Sequence, residues 1–171
     1  TVPQPEEKLI SSVNGPWEVT FQPDRGAPSQ IVVDTLISWS NSSDQGVKYF
    51  SGTGTYSRNI EVPENWLGTD GQIWLDLGEV KNLAEVIING KSLGIVWKKP
   101  FRIEVTGALN QGSNRLEIKV TNLWVNRLIG DQQPGITKKY TYTTQAFYKA
   151  DSPLLPSGLL GPVNIINITL K

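Results

Sequence analysis

The chain has 171 residues, with 16 Lys+Arg balanced by 16 Asp+Glu, and it contains neither histidine nor cysteine. Zero net charge removes the attraction that a nucleic-acid or anionic-membrane partner needs, so neither is expected. Without histidine, the usual general base and the usual zinc or haem ligand are gone, and without cysteine the fold relies on no disulfide.

The length suits one domain with a two-sheet core, read as residues 15–171. Residues 1–14, with Pro3, Pro5, Glu6 and Glu7, read as a linker or leader into it. A first residue other than methionine reads as a processed protein or an excised domain. No apolar run approaches the ~20 residues of a membrane-spanning helix.

The first strand is expected at Trp17-Glu18-Val19-Thr20-Phe21, with Trp17, Val19 and Phe21 facing inward and Pro23 and Gly26 ending it. Ile31 to Val33 and Leu36 to Trp39 form an apolar patch, and Asn41 to Gly46 reads as a surface turn. Lys48 to Val62 reads as one long strand, because Phe50, Tyr56, Ile60 and Val62 share parity. Gly52 and Gly54 lie on that parity too, where glycine marks a bend or a close approach to the backbone.

Residues 72–124 form a run of strands. Ile73, Leu75 and Leu77 alternate with Trp74 and Asp76; Phe101, Ile103 and Val105 alternate with Arg102 and Glu104; Leu116, Ile118 and Val120 alternate with Glu117 and Lys119. Each segment therefore has one apolar and one wet face, the pattern of antiparallel sheet. Asn89-Gly90 between Ile88 and the Leu93 to Trp97 segment is a tight-hairpin signal. Trp17 and Trp74 are both assigned to the core from the strands they share.

Beyond Trp124 the segment 131–162 is rich in Pro and Gly and interleaves Lys138, Lys139, Tyr140, Tyr142, Phe147 and Tyr148. Ordered loops of that length are functional or pack on a neighbour. A last strand, Val163 to Leu170, closes a sheet. With no helical stripe of ten residues or more, the chain reads as all-β, a jelly-roll β-sandwich of about eight to ten strands.

Glycoside hydrolysis needs two carboxyl groups facing each other across a sugar. Pairs such as Asp76 with Glu79 or Glu61 with Glu64 are too ordinary to nominate, so no catalytic residue is assigned. Carbohydrate binding is easier to support, because a sugar stacks its C–H face on an aromatic ring and offers hydroxyls to Asn, Asp or Arg. The candidate sugar-contacting residues are Trp97, Trp124, Asn126, Arg127 and Tyr140, with core or interdomain packing the alternative for both tryptophans. Arg127 with Asp131 reads first as an ion pair ordering a turn. No metal ligand or cofactor is assigned; a structural calcium is conceivable, but no acidic cluster at loop spacing supports one.

Several phrases, in order, resemble a known family: Gly15-Pro16-Trp17-Glu18-Val19, Phe50 to Tyr56, Leu75 to Val80, Ala84 to Gly90, Gly94 to Trp97, Asn122 to Asp131, and Pro156 to Val163. Asn126-Arg127-Leu128-Ile129-Gly130-Asp131 is the most specific of them. The chain resembles the C-terminal β-sandwich of bacterial α-L-rhamnosidase-type enzymes of glycoside hydrolase family 106, over residues 15–170. That sandwich is similar in turn to the galactose-binding-like jelly roll of family 2 β-glycosidases. The resemblance implies a catalytic acid and base on a separate barrel domain, so this piece is not expected to be an enzyme by itself. It also implies a secreted or periplasmic, polysaccharide-degrading parent. The expected partners are that parent's catalytic domain and a plant or pectic polysaccharide. Two roles follow: an accessory carbohydrate-binding module, or a structural module whose aromatic loop packs on the barrel.

Overall fold

A computed structural model describes residues 4–68 and 70–170. Among them twelve strands and three short helices follow one another along the chain. The strands are β1 (Pro5–Ser12), β2 (Trp17–Phe21), β3 (Gln30–Val33), β4 (Thr53–Val62), β5 (Gln72–Asp76) and β6 (Glu79–Lys81). They continue as β7 (Leu83–Ile88), β8 (Lys91–Val96), β9 (Arg102–Glu104), β10 (Gly112–Thr121), β11 (Gly158–Gly161) and β12 (Asn164–Leu170). The helices are α1 (Gln45–Lys48), α2 (Glu64–Leu67) and α3 (Val125–Gly130), and a 3-10 turn covers Trp39–Asn41.

The strands make a sandwich of a four-stranded sheet, β1-β12-β5-β9, and a six-stranded sheet, β3-β2-β4-β10-β7-β8, with a two-stranded ribbon of β11 and β6 beside them. All strand pairs are antiparallel. The alternation read from the sequence builds the core between the sheets. Val19, Tyr56, Ile118 and Val86 occupy one row across β2, β4, β10 and β7 and are all buried. Ile73, Leu75 and Ile165 are buried in the opposing sheet. Each fully buried side chain of this size contributes about 1.5–3 kcal/mol relative to exposure.

The Asn89-Gly90 hairpin forms as expected, with φ of 51 and 80° at the two turn residues and Ile88 paired to Lys91. Asn89 Oδ1 accepts from Arg115 N at 2.9 Å and its Nδ2 donates to Asn114 Oδ1 at 2.8 Å. The turn residue therefore also fixes the register of β10.

The structure departs from the sequence reading in several places. Residues 5–12, within the segment read as a linker or leader, pair along their length with β12. Polar composition misled because β1 is an edge strand whose outer face meets water. Trp74, assigned to the core, is only half-buried on the outer face of β5, where its Nε1 donates to Gln72 Oε1 at 3.2 Å. Its parity, opposite to the buried Ile73 and Leu75, was the better guide. The long strand expected from Lys48 begins only at Thr53, because Asp44 caps α1 through a 3.1 Å bond from Val47 N. Strand number exceeds the expected range because β1 and the short β6 and β11 add to the main sheets.

Gly54 shows why the strand carries glycine. A Cβ there would lie 2.6 Å from Trp39 Cζ2, so the indole rests directly on β4. Trp39 then stacks on Tyr56 at 6.2 Å and meets Phe50 edge-on at 5.3 Å. The Tyr56 hydroxyl accepts from Leu159 N at 3.2 Å and ties the ribbon to the large sheet.

Candidate functional site

Loops 22–29, 42–52 and 122–157 converge at one end of the sandwich, and the last of them is held there by polar side chains in place of regular structure. Asn122, just past β10, clamps the segment before β4: it accepts from Gly52 N at 2.9 Å and donates to Phe50 O at 2.8 Å. The Ser51 hydroxyl donates to Leu123 O at 2.9 Å and accepts from Arg127 N at 3.1 Å. These bonds set where α3 starts.

From α3 the Asn126 to Asp131 phrase anchors the following loop. Asn126 is 1% exposed, and its amide clasps Leu155 from both sides: Nδ2 to Leu155 O at 2.8 Å, and Leu155 N to Oδ1 at 2.8 Å. Asp131 Oδ2 accepts from Tyr140 N at 3.0 Å, Thr141 N at 2.8 Å and the Thr141 hydroxyl at 2.6 Å. Gln133 Nε2 donates to Ala150 O at 2.9 Å. Ser157 N donates to Ser38 Oγ at 2.9 Å and closes the loop against the aromatic cluster.

Arg127 is 3% exposed, and its Nε lies 2.9 Å from Asp131 Oδ1. The approach is off the N–H axis, so this is a charge contact, not a linear hydrogen bond. Nη1 lies beside Gly26 and Nη2 beside Gly130, and neither meets a hydrogen-bond acceptor among the described residues. The guanidinium instead borders a cleft of about 430 Å³. Tyr140 forms one wall: the Arg127 guanidinium carbon is 5.0 Å and Lys138 Nζ 4.9 Å from its ring centroid, two cation–π contacts. Tyr49, Gly26, Gly46 and the 133–138 arm complete the lining, and no Asp or Glu is among the lining residues.

The sequence-nominated residues are only partly gathered here. Arg127 and Tyr140 share the cleft. Trp124, 46% exposed, is next to it through Arg25, whose guanidinium carbon sits 4.6 Å over the indole while Gly26 touches Tyr140. Asn126 is a buried loop anchor with both ends of its amide engaged, so it presents nothing to a ligand. Trp97, 68% exposed, follows β8 at the sheet edge, and its ring neighbour is Lys98. The ion-pair reading of Arg127 with Asp131 holds. Sequence reasoning missed Tyr49, Arg25 and Gly26, whose neighbours lie about a hundred positions away and leave no local pattern. Among the described residues no group of three His, Cys, Asp or Glu is placed to hold a metal ion.

The structure superimposes with a TM-score of 0.90 on a rhamnosidase from Novosphingobium sp. PP1Y, at 48% identity, covering 97% of this chain and 16% of that one. A putative β-glucuronidase of Formosa agariphila is 39% identical over 188 residues, again 96% of this chain and 16% of that protein. A β-D-glucuronidase of Dictyoglomus thermophilum shares the fold at 23% identity, with a TM-score of 0.64 over 96% of this chain and 28% of that one. This chain thus spans about a sixth of the length of the first two proteins. Residues 37–152, which include α1, the whole of the central strand run and most of the anchored loop, match the family described as Glycosyl hydrolase 2 galactose-binding domain-like, and the chain belongs to that family.

Proposed function

We propose that this chain is a non-catalytic accessory carbohydrate-binding module of a polysaccharide-degrading glycoside hydrolase, with the end built from Trp124, the Arg127–Tyr140 cleft and the 131–157 loop as its sugar-facing surface. The observation that carries the reading is the loop itself. Four separate sets of polar bonds, three of them buried or half-buried, hold 27 residues without regular structure in one shape, beside a cleft walled by tyrosine. Anchoring of that kind serves a surface that must be presented, since a loop with no task needs no such order. The resemblance to family 106 α-L-rhamnosidase-type enzymes supports a parent of that class, with this sandwich at its C-terminal side, a pectic or other plant polysaccharide as substrate, and a secreted or periplasmic location.

An NMR titration with L-rhamnose, D-galactose and pectic oligosaccharides, following the tryptophan indole N–H signals and the Tyr140 amide, tests this. Saturable shifts at Trp124 and Tyr140 are expected, with Trp97 unmoved. A flat response to every sugar sinks the carbohydrate-binding reading.

One observation favours a second, structural role for the neighbouring surface. Tyr142 is 90% and Phe147 80% exposed on the same loop. Large aromatic rings held out in water mark an interaction surface, and the parent's catalytic domain is the natural occupant. The two roles are compatible, because the cleft lies toward the start of the loop and Phe147 toward its end.

A further inference from the structure

We infer that the Arg127–Lys138 cleft is a subsite for a carboxylate-bearing sugar, a uronic acid unit of the bound polysaccharide; the inference rests on the carbohydrate-binding reading above and names its ligand class. A buried guanidinium loses most of its hydration and needs acceptors in exchange. Asp131 supplies a charge contact to Nε through Oδ1, while its Oδ2 is occupied by three donors of the loop. Nη1 lies beside Gly26, which lines the cleft with Arg127, while Nη2 packs beside buried Gly130. The best complement of a guanidinium that borders such a cleft is a planar group with two oxygens, which is a carboxylate.

The surroundings select charge as well as shape. Lys138 adds a second cation over the Tyr140 ring, and no acidic side chain lines the cleft to oppose an anion. A neutral sugar could offer hydroxyls to the guanidinium, yet it would gain nothing from Lys138. The rings of Tyr49 and Tyr140 give the C–H face of a pyranose an apolar wall. A cleft of about 430 Å³ accommodates one or two sugar units. Gly26 is part of the fit, since a Cβ there would lie 3.0 Å from the Tyr140 ring and 3.3 Å from Arg127 Nη1.

The test compares D-galacturonate and D-glucuronate with D-galactose and D-glucose on the 171-residue chain, by calorimetry and by NMR shifts at the Tyr140 amide. Uronates should bind roughly tenfold more tightly than their neutral counterparts, and less tightly as ionic strength rises. Lys138→Glu, at an exposed position where folding is not at risk, should weaken uronate binding roughly tenfold more than it weakens binding of neutral sugars. Arg127→Lys, which keeps the charge and loses the planar guanidinium, should weaken it comparably, with circular dichroism reporting whether that variant folds. Equal binding of galactose and galacturonate at Tyr140 overturns the inference while leaving the accessory reading intact. Uronate binding indifferent to Lys138→Glu overturns it too, by placing the site elsewhere. No response to any of the four sugars removes both.

Discussion

The six-stranded sheet and the 131–157 loop are ordered by opposite means. In the sheet, β10 lies between β4 and β7, and its inward residues Leu116, Ile118 and Val120 are buried against the facing layer. Order there comes from apolar burial and a continuous backbone ladder, which any residue of suitable size and parity can extend. The loop has neither, and most of its side chains meet water. A few polar groups of α3 and its C-cap, chiefly Asn126 and Asp131, replace the missing ladder by reaching for Leu155, Tyr140 and Thr141. Apolar order is spread over many residues and polar order is concentrated in a few. The loop should therefore be separable from the fold, and it should fail at named positions.

Leu116→Ala should have the largest effect, about 4 kcal/mol of global stability from lost burial and an unfilled cavity, read as a fall in the urea midpoint. Asp131→Ala should cost about 3 kcal/mol, because it strips Arg127 of its counter-charge and three loop donors of their acceptor. Its signature is early amide exchange at Tyr140 and Thr141. Asn126→Ala should cost about 2 kcal/mol by leaving the Leu155 backbone unsatisfied. Exchange near Leu155 should then accelerate while the β4–β10 amides stay protected; if those amides lose protection equally, loop and sheet are one cooperative unit and the contrast breaks.

Tyr56 sharpens the contrast by joining the two regimes. Burial pushes its hydroxyl pKa up from the ordinary 10.0, so the fold keeps a proton that the unfolded chain releases. Stability should accordingly decline as pH rises above 10.0, and Tyr56→Phe should flatten that decline while costing about 1 kcal/mol at neutral pH through the lost bond from Leu159. Replacing both Tyr142 and Phe147 with alanine should change stability by no more than about 0.5 kcal/mol, since both rings lie in water. On the docking role proposed above, the same pair should weaken association with a catalytic domain, measurable by mixing the separated pieces.

Much of the fold was legible. Period-two alternation placed β2, β5, β9, β10 and the body of β4, and Asn89-Gly90 placed the hairpin of β7 and β8, because strand parity and turn chemistry are local properties. β1 was not legible, since an edge strand with a wet face has the composition of a linker. Of the five candidate sugar contacts, Arg127 and Tyr140 line one cleft and Trp124 lies next to it through Arg25, whereas Trp97 lies at the edge after β8. Asn126 was misread because its type suits both a sugar contact and a backbone clasp, and only Leu155, 29 residues away, decides between them.

What the sequence by itself determined was the sandwich, the hairpin, the close approach to the backbone at Gly54, and the pairing of Arg127 with Asp131, one helical turn apart in chain order. What only the tertiary structure decided was which face of Arg127 remains open. That depends on Gly26, Tyr49 and Tyr140 arriving from three different loops, and on Asp131 having spent one oxygen on the chain that follows it. Alternation and turns are encoded by neighbours along the chain, whereas an unsatisfied guanidinium is a property of everything packed around it.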